Sequence, residues 1–181
     1  MAIEIENSIN LPRTSFSMKY KFYVLALAVL VLDHATKWLA RARLDPERAI
    51  EVIPGYLRIS YVSNTGIAFG LFRDLDSPWK PHVLAAMAIV AVIVILVYSF
   101  RMPSSRLLLQ SALAVIMGGI LGNFADRVLH GYVVDFIEFH VRDAFHWPTF
   151  NVADSAITVG IGLLLIDAVK NPELDEELQR D

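Results

Sequence analysis

Two aspartates in this chain stand where hydrolytic chemistry could be done. Asp135 lies in an apolar, strand-like run, "YVVDFIEF" (Tyr132 to Phe139), that contains no basic residue. Asp154 opens a long apolar run and follows Asn151 by three residues in "FNVAD". Two carboxylates brought close together in a low-dielectric site cannot both ionise cheaply, so one keeps its proton. The ionised member can then take a proton from water while the neutral member donates to a carbonyl oxygen, which is the aspartic-protease division of labour. Rival chemistries find less support. Cysteine is absent, which removes disulfides, thiol nucleophiles and Cys-based metal sites. No Gly-x-Ser-x-Gly occurs. His34, His82, His130, His140 and His146 do not fall at metal-ligand spacing and read as interfacial polar residues. The expectation is therefore no metal and no cofactor.

These aspartates must be positioned by elements that live in lipid. The 181 residues are 55% hydrophobic and 19% charged, and the mean hydropathy is +0.49. A soluble domain of this size needs more charge to cover its surface. The apolar residues are bunched into four blocks of bilayer-spanning length, at about 22–39, 81–100, 107–124 and 152–169. The expected fold is an all-α membrane protein with four transmembrane helices and a small antiparallel β-sheet on the outer membrane–water interface. It is expected to be one integral membrane domain over 1–181. Residues 1–17 read as a mobile tail and 171–181 as an acidic tail. The first block resembles a cleavable signal peptide, but Asp33 and Lys37 interrupt it, so it is read as a retained span.

The linker 40–80 holds the sheet. Ile50 to Ile53 and Tyr56 to Val62 favour strands, with Pro54-Gly55 between them, and Tyr132 to Phe139 is a further extended segment. "RMPSSR" alone separates the second and third blocks, which makes a tight helical hairpin. Four spans put both termini on one side. The basic residues around that hairpin make this side the cytoplasm. The net charge of −3, without a basic stripe, excludes nucleic acid as a partner.

On this topology the costly polar residues converge on one leaflet. Asp33 and Lys37 lie near the outer end of the first span, Asn123, Asp126 and Arg127 at that of the third, and Asn151 and Asp154 at the mouth of the fourth. A charge at the centre of a span costs about 2.5–3.5 kcal/mol, so such a gathering favours a site. Each piece also has a plainer reading. Asn151 suits a helix N-cap. Asp33 with Lys37 suits a neutralised ion pair, and Asp126 with Arg127 a helix end. Gly118-x-x-x-Gly122 suits helix packing, and Asp167 with Lys170 a helix-exit pair. A transporter or proton relay also gathers intramembrane Asp, Lys and Arg, but would spread them through the membrane depth and repeat a half. A presenilin-like protease would need Gly-x-Gly-Asp, which does not occur.

Five motifs in order carry a resemblance: "DHATK" (Asp33 to Lys37), "NTGIAFG" (Asn64 to Gly70), "GNFADR" (Gly122 to Arg127), "VVDF" (Val133 to Phe136) and "FNVAD" (Phe150 to Asp154). Together they resemble the lipoprotein signal peptidases (signal peptidase II), from about Met18 to Lys170. The resemblance implies an aspartic endopeptidase, a multi-pass protein of the bacterial inner membrane. Its termini would be cytoplasmic and its active site near the periplasmic leaflet. It implies Asp135 and Asp154 as the catalytic dyad. Asn64, Asn123, Arg127 and Asn151 would bind substrate, and Asp33, Lys37, Gly66 and Asp126 would support the site. The implied substrate is a prolipoprotein whose lipobox cysteine carries diacylglycerol, cut just before that cysteine. Membrane lipid and globomycin-like peptide inhibitors are the other implied partners, and the protein is expected to act as a monomer.

Overall fold

The computed structural model describes residues 14–66, 77–142 and 144–171. In chain order these form α1 (Thr14–Arg43), β1 (Ile50–Ile53), β2 (Leu57–Asn64), α2 (Lys80–Arg101), α3 (Leu107–His130), β3 (Val133–Val141), β4 (Phe145–His146) and α4 (Val152–Lys170). All four helices are long and apolar enough to cross a membrane. Their large apolar side chains point outward, among them Val24, Leu27 and Val31 of α1, Val90 and Val94 of α2, and Leu165 and Val169 of α4. Such a surface is stable against lipid and not against water.

The centre of the bundle is α3, which packs against α1, α2 and α4. Its buried face includes the small residues Ala112, Ala114, Gly118, Gly119 and Gly122. A Cβ on Gly118 would stand 2.6 Å from the carbonyl oxygen of Ala26 in α1. One on Gly119 would stand 2.5 Å from that of Ala153 in α4. Neither backbone can approach α3 so closely unless glycine is there, and that approach brings the polar residues of three helices within reach.

At one end of the bundle, the α2–α3 hairpin is closed by its own side chains. Gln110 donates to the carbonyls of Ser99 at 3.0 Å and Met102 at 3.3 Å, and accepts from the Ser99 hydroxyl at 2.6 Å. Lys19 reaches from α1 to the carbonyls of Ser99 and Phe100, both at 2.9 Å, placing a cation at the negative end of α2. Asp167 does not pair with Lys170 as expected. It pairs with Arg106 of the hairpin, while Lys170 is exposed. Burial explains the choice: Asp167 faces α3, whereas Lys170 is on the outward face of α4.

The sheet sits at the opposite end, where α1 and α3 finish and α4 begins. It is antiparallel, in the order β1-β2-β3-β4. Its cross-strand rows give it two unlike faces. Ile50, Ile59 and Ile137 form one row, and Ile53, Leu57 and Phe139 another. The intervening row is Glu51, Arg58 and Glu138, in which Arg58 grips Glu138 through two bonds of 2.8 and 2.7 Å. Ile50, Ile53, Phe139, Phe145 and Trp147 remain exposed, as an amphipathic sheet at a lipid surface requires.

Three further expectations change. The third helix does not stop near Phe124 but runs to His130, because Asp126 and Asn123 find partners and the chain turns only at Gly131, whose φ of +79° suits glycine. The first helix begins at Thr14, inside the stretch expected as a tail; residues 1–13 and 172–181 lie outside the described residues. His140 is buried and stacks on His146, with ring centroids 5.5 Å apart. The short strand β4 was not foreseen, since two residues show no alternation.

Candidate active site

Asp135 reaches the site on β3. That strand is buried from Val133 to Phe136, where α1 and α3 pack against it and β2 pairs along its edge. A bulge in β2 between Ile59 and Val62 resets the register, so that Val62 stands opposite Asp135 and Asn64 opposite Val133. Asp154 arrives on the first turn of α4. Asn151 caps that helix: its side-chain oxygen accepts from the Asp154 N–H at 2.9 Å, and Asp154 Oδ2 accepts from the Asn151 N–H at 3.3 Å. The cap reading of Asn151 is therefore correct, and its amide nitrogen is left for other work.

That nitrogen binds Asp135 Oδ1 at 2.7 Å. Asn64 Nδ2 binds the other oxygen of Asp135 at 2.8 Å, and Asn123 Nδ2 binds Asp154 Oδ1 at 2.8 Å. The direction of each amide is fixed by a group that can only donate. Asn64 Oδ1 accepts from the Gly66 N–H at 2.8 Å, Asn151 Oδ1 from the Asp154 N–H, and Asn123 Oδ1 from the Lys37 ammonium at 2.9 Å. Each amide must then present N–H, not C=O, to a carboxylate.

Burial and the nearby Asp154 carboxylate push the Asp135 carboxyl up to about 7, against the pull of the Asn64 and Asn151 donors. Arg127 adds one positive charge. It donates to the carbonyls of Gly66 at 3.0 Å and Asn123 at 3.2 Å, clamping the β2 turn to α3. One cation beside two carboxylates balances a pair that shares one proton.

Asp33, Lys37 and Asp126 lie one layer deeper, all fully buried. Lys37 pairs with Asp33 at 2.7 Å and Asp126 at 3.2 Å, and Asp126 also pairs with Arg41. Arg41 was missed from the sequence; its position one helical turn beyond Lys37 was the available signal. Asn64 and Gly66 are seen at the start of the "NTGIAFG" motif, whereas Ile67 to Gly70 lie outside the described residues.

A cavity of about 900 Å³ opens over the site. Asn64, Asn123, Arg127 and Asp154 form its polar side, and Asp135 lies beneath them, 1% exposed. Its apolar side comes from Met87 and Ala91 of α2, Ile120 of α3, and Ile157 and Ile161 of α4. Phe139, Trp147 and Phe150 close it on the sheet side. Such a space suits a chain with peptide polarity at one edge and hydrocarbon along the other.

A family model described as Signal peptidase (SPase) II matches residues 25–170. The chain belongs to the signal peptidase II family. The match contains every residue of the network from Asp33 to Asp154. The lipoprotein signal peptidase of Symbiobacterium thermophilum is 44% identical over 147 residues, covering 81% of this chain and 92% of that protein. That of Alteromonas mediterranea is 38% identical over 157 residues, covering 87% and 85%. A bacterial membrane enzyme solved by the in meso method at 2.3 Å resolution superposes with a TM-score of 0.72 at 32% identity, over 85% of this chain and 90% of that one. Membership of the signal peptidase II family makes the chain a peptidase and a multi-pass bacterial membrane protein concerned with lipoprotein processing. It does not favour the transporter alternative.

Proposed function

We propose that the chain is an aspartic endopeptidase of the inner membrane. It removes the signal peptide from diacylglyceryl-modified prolipoproteins by cutting just before the lipidated cysteine. The observation that carries this reading is the bridge made by Asn151. One residue caps the helix that bears Asp154 and donates to Asp135, so the two carboxylates are held as a unit.

The steps follow from that unit. The ionised carboxylate takes a proton from a water molecule as the water oxygen bonds to the scissile carbonyl carbon. The neutral carboxyl gives its proton to the carbonyl oxygen. The tetrahedral intermediate then collapses: its hydroxyl returns a proton to the dyad, the C–N bond breaks, and the leaving nitrogen takes the proton first removed from water. Asn64, Asn123 and Asn151 hold the dyad, and Asn64, Asn123 and Arg127 line the path of the substrate backbone, with Gly66 supplying the turn; Asn151, fully buried, acts on the dyad and not on the substrate. Asp33, Lys37 and Asp126 support them from behind.

Placement of the site at the outer leaflet, with the termini cytoplasmic, suits a substrate anchored by lipid and exposed to water at the scissile bond. The apolar side of the cavity is where acyl chains and a globomycin-like peptide would lie. The protein acts as a monomer, since one chain supplies both aspartates.

The test is direct. Purified protein is incubated with a diacylglyceryl-modified prolipoprotein and the product is weighed by mass spectrometry. A fragment beginning at the modified cysteine is expected, and the unmodified precursor should remain intact. Cleavage at another bond, or no cleavage, overturns the reading.

A further inference from the structure

Behind the two aspartates stands a single ammonium group whose contacts are arranged with unusual economy. Lys37 is fully buried, and its Nζ has three oxygen neighbours: Asp33 Oδ2 at 2.7 Å, Asp126 Oδ2 at 3.2 Å and Asn123 Oδ1 at 2.9 Å. The contact with Asn123 is a hydrogen bond and the two with the carboxylates are ion pairs.

Each neighbour leads to the dyad. Asp33 Oδ1 accepts the backbone N–H of Ala153 at 2.9 Å, and Ala153 is the residue before Asp154. Asp126 Oδ2 accepts the backbone N–H of Val134 at 3.2 Å, and Val134 is the residue before Asp135. Asn123, its oxygen held by Lys37, gives its nitrogen to Asp154 Oδ1 at 2.8 Å. The backbone ahead of each aspartate is thus pinned by a carboxylate, and both carboxylates are pinned by one cation. The two aspartates arrive on different elements, β3 and α4. Asn151 ties the same two segments from the other side, donating to the Val134 carbonyl at 3.3 Å and accepting the Ser155 N–H at 3.1 Å.

A plain structural ion pair would need less. Asp33 and Lys37 are one turn apart on α1 and would neutralise each other without reaching α3, α4 or β3. Burying an ion pair strips water from both ions before attraction repays it, and an apolar pair of similar volume would often do as well for stability. The observed arrangement ties three further elements to that one charge.

We infer that Lys37 is a positioning residue for hydrolysis: it fixes the spacing of Asp135 and Asp154 through Asp126 and Asp33, and it holds the Asn123 amide with its N–H toward Asp154. This inference rests on the dyad reading above. It adds a role that support of the fold does not require. Without the ammonium, Asn123 Oδ1 keeps only the longer bond from Asn151 Nδ2 at 3.2 Å, so the amide is held less firmly with its N–H toward Asp154. The charge also acts through space. The titratable and charged groups of this cluster are Asp33 and Arg41 on α1, Asp126, Arg127 and His130 on α3, Asp135 on β3 and Asp154 on α4. Lys37 is among the groups that hold the Asp135 carboxyl down.

The test compares wild type, Lys37→Met and the charge-neutral double variant Asp33→Asn/Lys37→Met, with Asp135→Asn run alongside. The double variant keeps an oxygen for the Ala153 N–H and leaves no unpaired carboxylate at position 33, so it retains a folded protein where Lys37→Met alone fails. Turnover of a diacylglyceryl-modified substrate is measured in detergent from pH 5 to 9. Expected in the double variant are a kcat at least tenfold lower, a KM within about twofold of wild type, and a pH–rate profile moved upward, since Lys37, and not Asp33, is among the groups that hold the Asp135 carboxyl down. Loss of folded protein alone would scale the rate and leave the profile in place. A wild-type pH profile, or a loss confined to KM, overturns the inference while a dead Asp135→Asn leaves the dyad standing. Full turnover in Asp135→Asn overturns both.

Discussion

The side-chain nitrogen of Asn151 lies 2.7 Å from Oδ1 of Asp135, a contact between residues sixteen apart in the chain. The same side chain caps α4 through its oxygen. Capping and dyad support can therefore be separated by a residue that does only one of them. Serine is as good an N-cap as asparagine, and loss of a cap costs about 1 kcal/mol. Asn151→Ser is expected to leave the thermal midpoint within a few degrees of wild type and to lower turnover at least tenfold. Wild-type turnover would reduce Asn151 to a cap.

The pH dependence of the free enzyme follows from Asp135, whose carboxyl is pushed up to about 7 by burial and by Asp154. If the neutral carboxyl is the proton donor, kcat/KM falls as pH rises through about 7 and the shared proton is lost. The Asn64 amide favours the ionised form, so Asn64→Ala raises the pH at which that proton leaves and moves the fall upward. A kcat/KM that stays flat from pH 6 to 9 would rule out a proton held near neutrality. A fall that moves downward in Asn64→Ala would reverse the assigned sign.

Arg127 spans two carbonyls on different elements, those of Gly66 and Asn123. A guanidinium does this with a planar fork; a lysine ammonium in its place would reach one at a time. Arg127→Lys is expected to weaken inhibitor or substrate binding nearly as much as Arg127→Ala, with the protein still folded. Isothermal titration with a globomycin-like peptide checks it. Affinity kept in Arg127→Lys and lost in Arg127→Ala would mean that charge, not shape, is what matters.

Orientation is testable from outside the cell. Ser105 is exposed in the α2–α3 hairpin, and Ser77 precedes α2 at the sheet end of the bundle. With single cysteines at these positions, an impermeant thiol reagent on intact cells should label position 77 and spare position 105. The opposite pattern would invert the proposed topology.

The four helices and three of the strands were legible because hydropathy and alternation are local signals. Ile50 to Ile53 appears with unchanged bounds. The ends were less legible. α3 passes through Asp126 and Arg127, whose charges looked like a terminus until Lys37, Arg41 and Gly66 supplied partners from elsewhere in the chain. Asp167 was assigned to its neighbour Lys170, but its partner Arg106 is 61 positions away. The same limit holds at the site. Motif order pointed to Asp135, Asp154 and the asparagines, but which amide faces which carboxylate depends on donors such as Lys37 and the Gly66 N–H. Those contacts exist only after three helices and a sheet have met.

The central claim is that Asp135 and Asp154 act as one acid–base unit. Asparagine preserves the shape of each side chain but can neither take nor hold the mobile proton. Asp135→Asn, Asp154→Asn and the double variant should each accumulate in the membrane at wild-type levels. Each should also lose release of the signal peptide from a diacylglyceryl-modified prolipoprotein by at least a thousandfold, with the double no worse than either single because the unit is already broken. Clear residual turnover in either single variant, or losses that multiply in the double, would contradict the account.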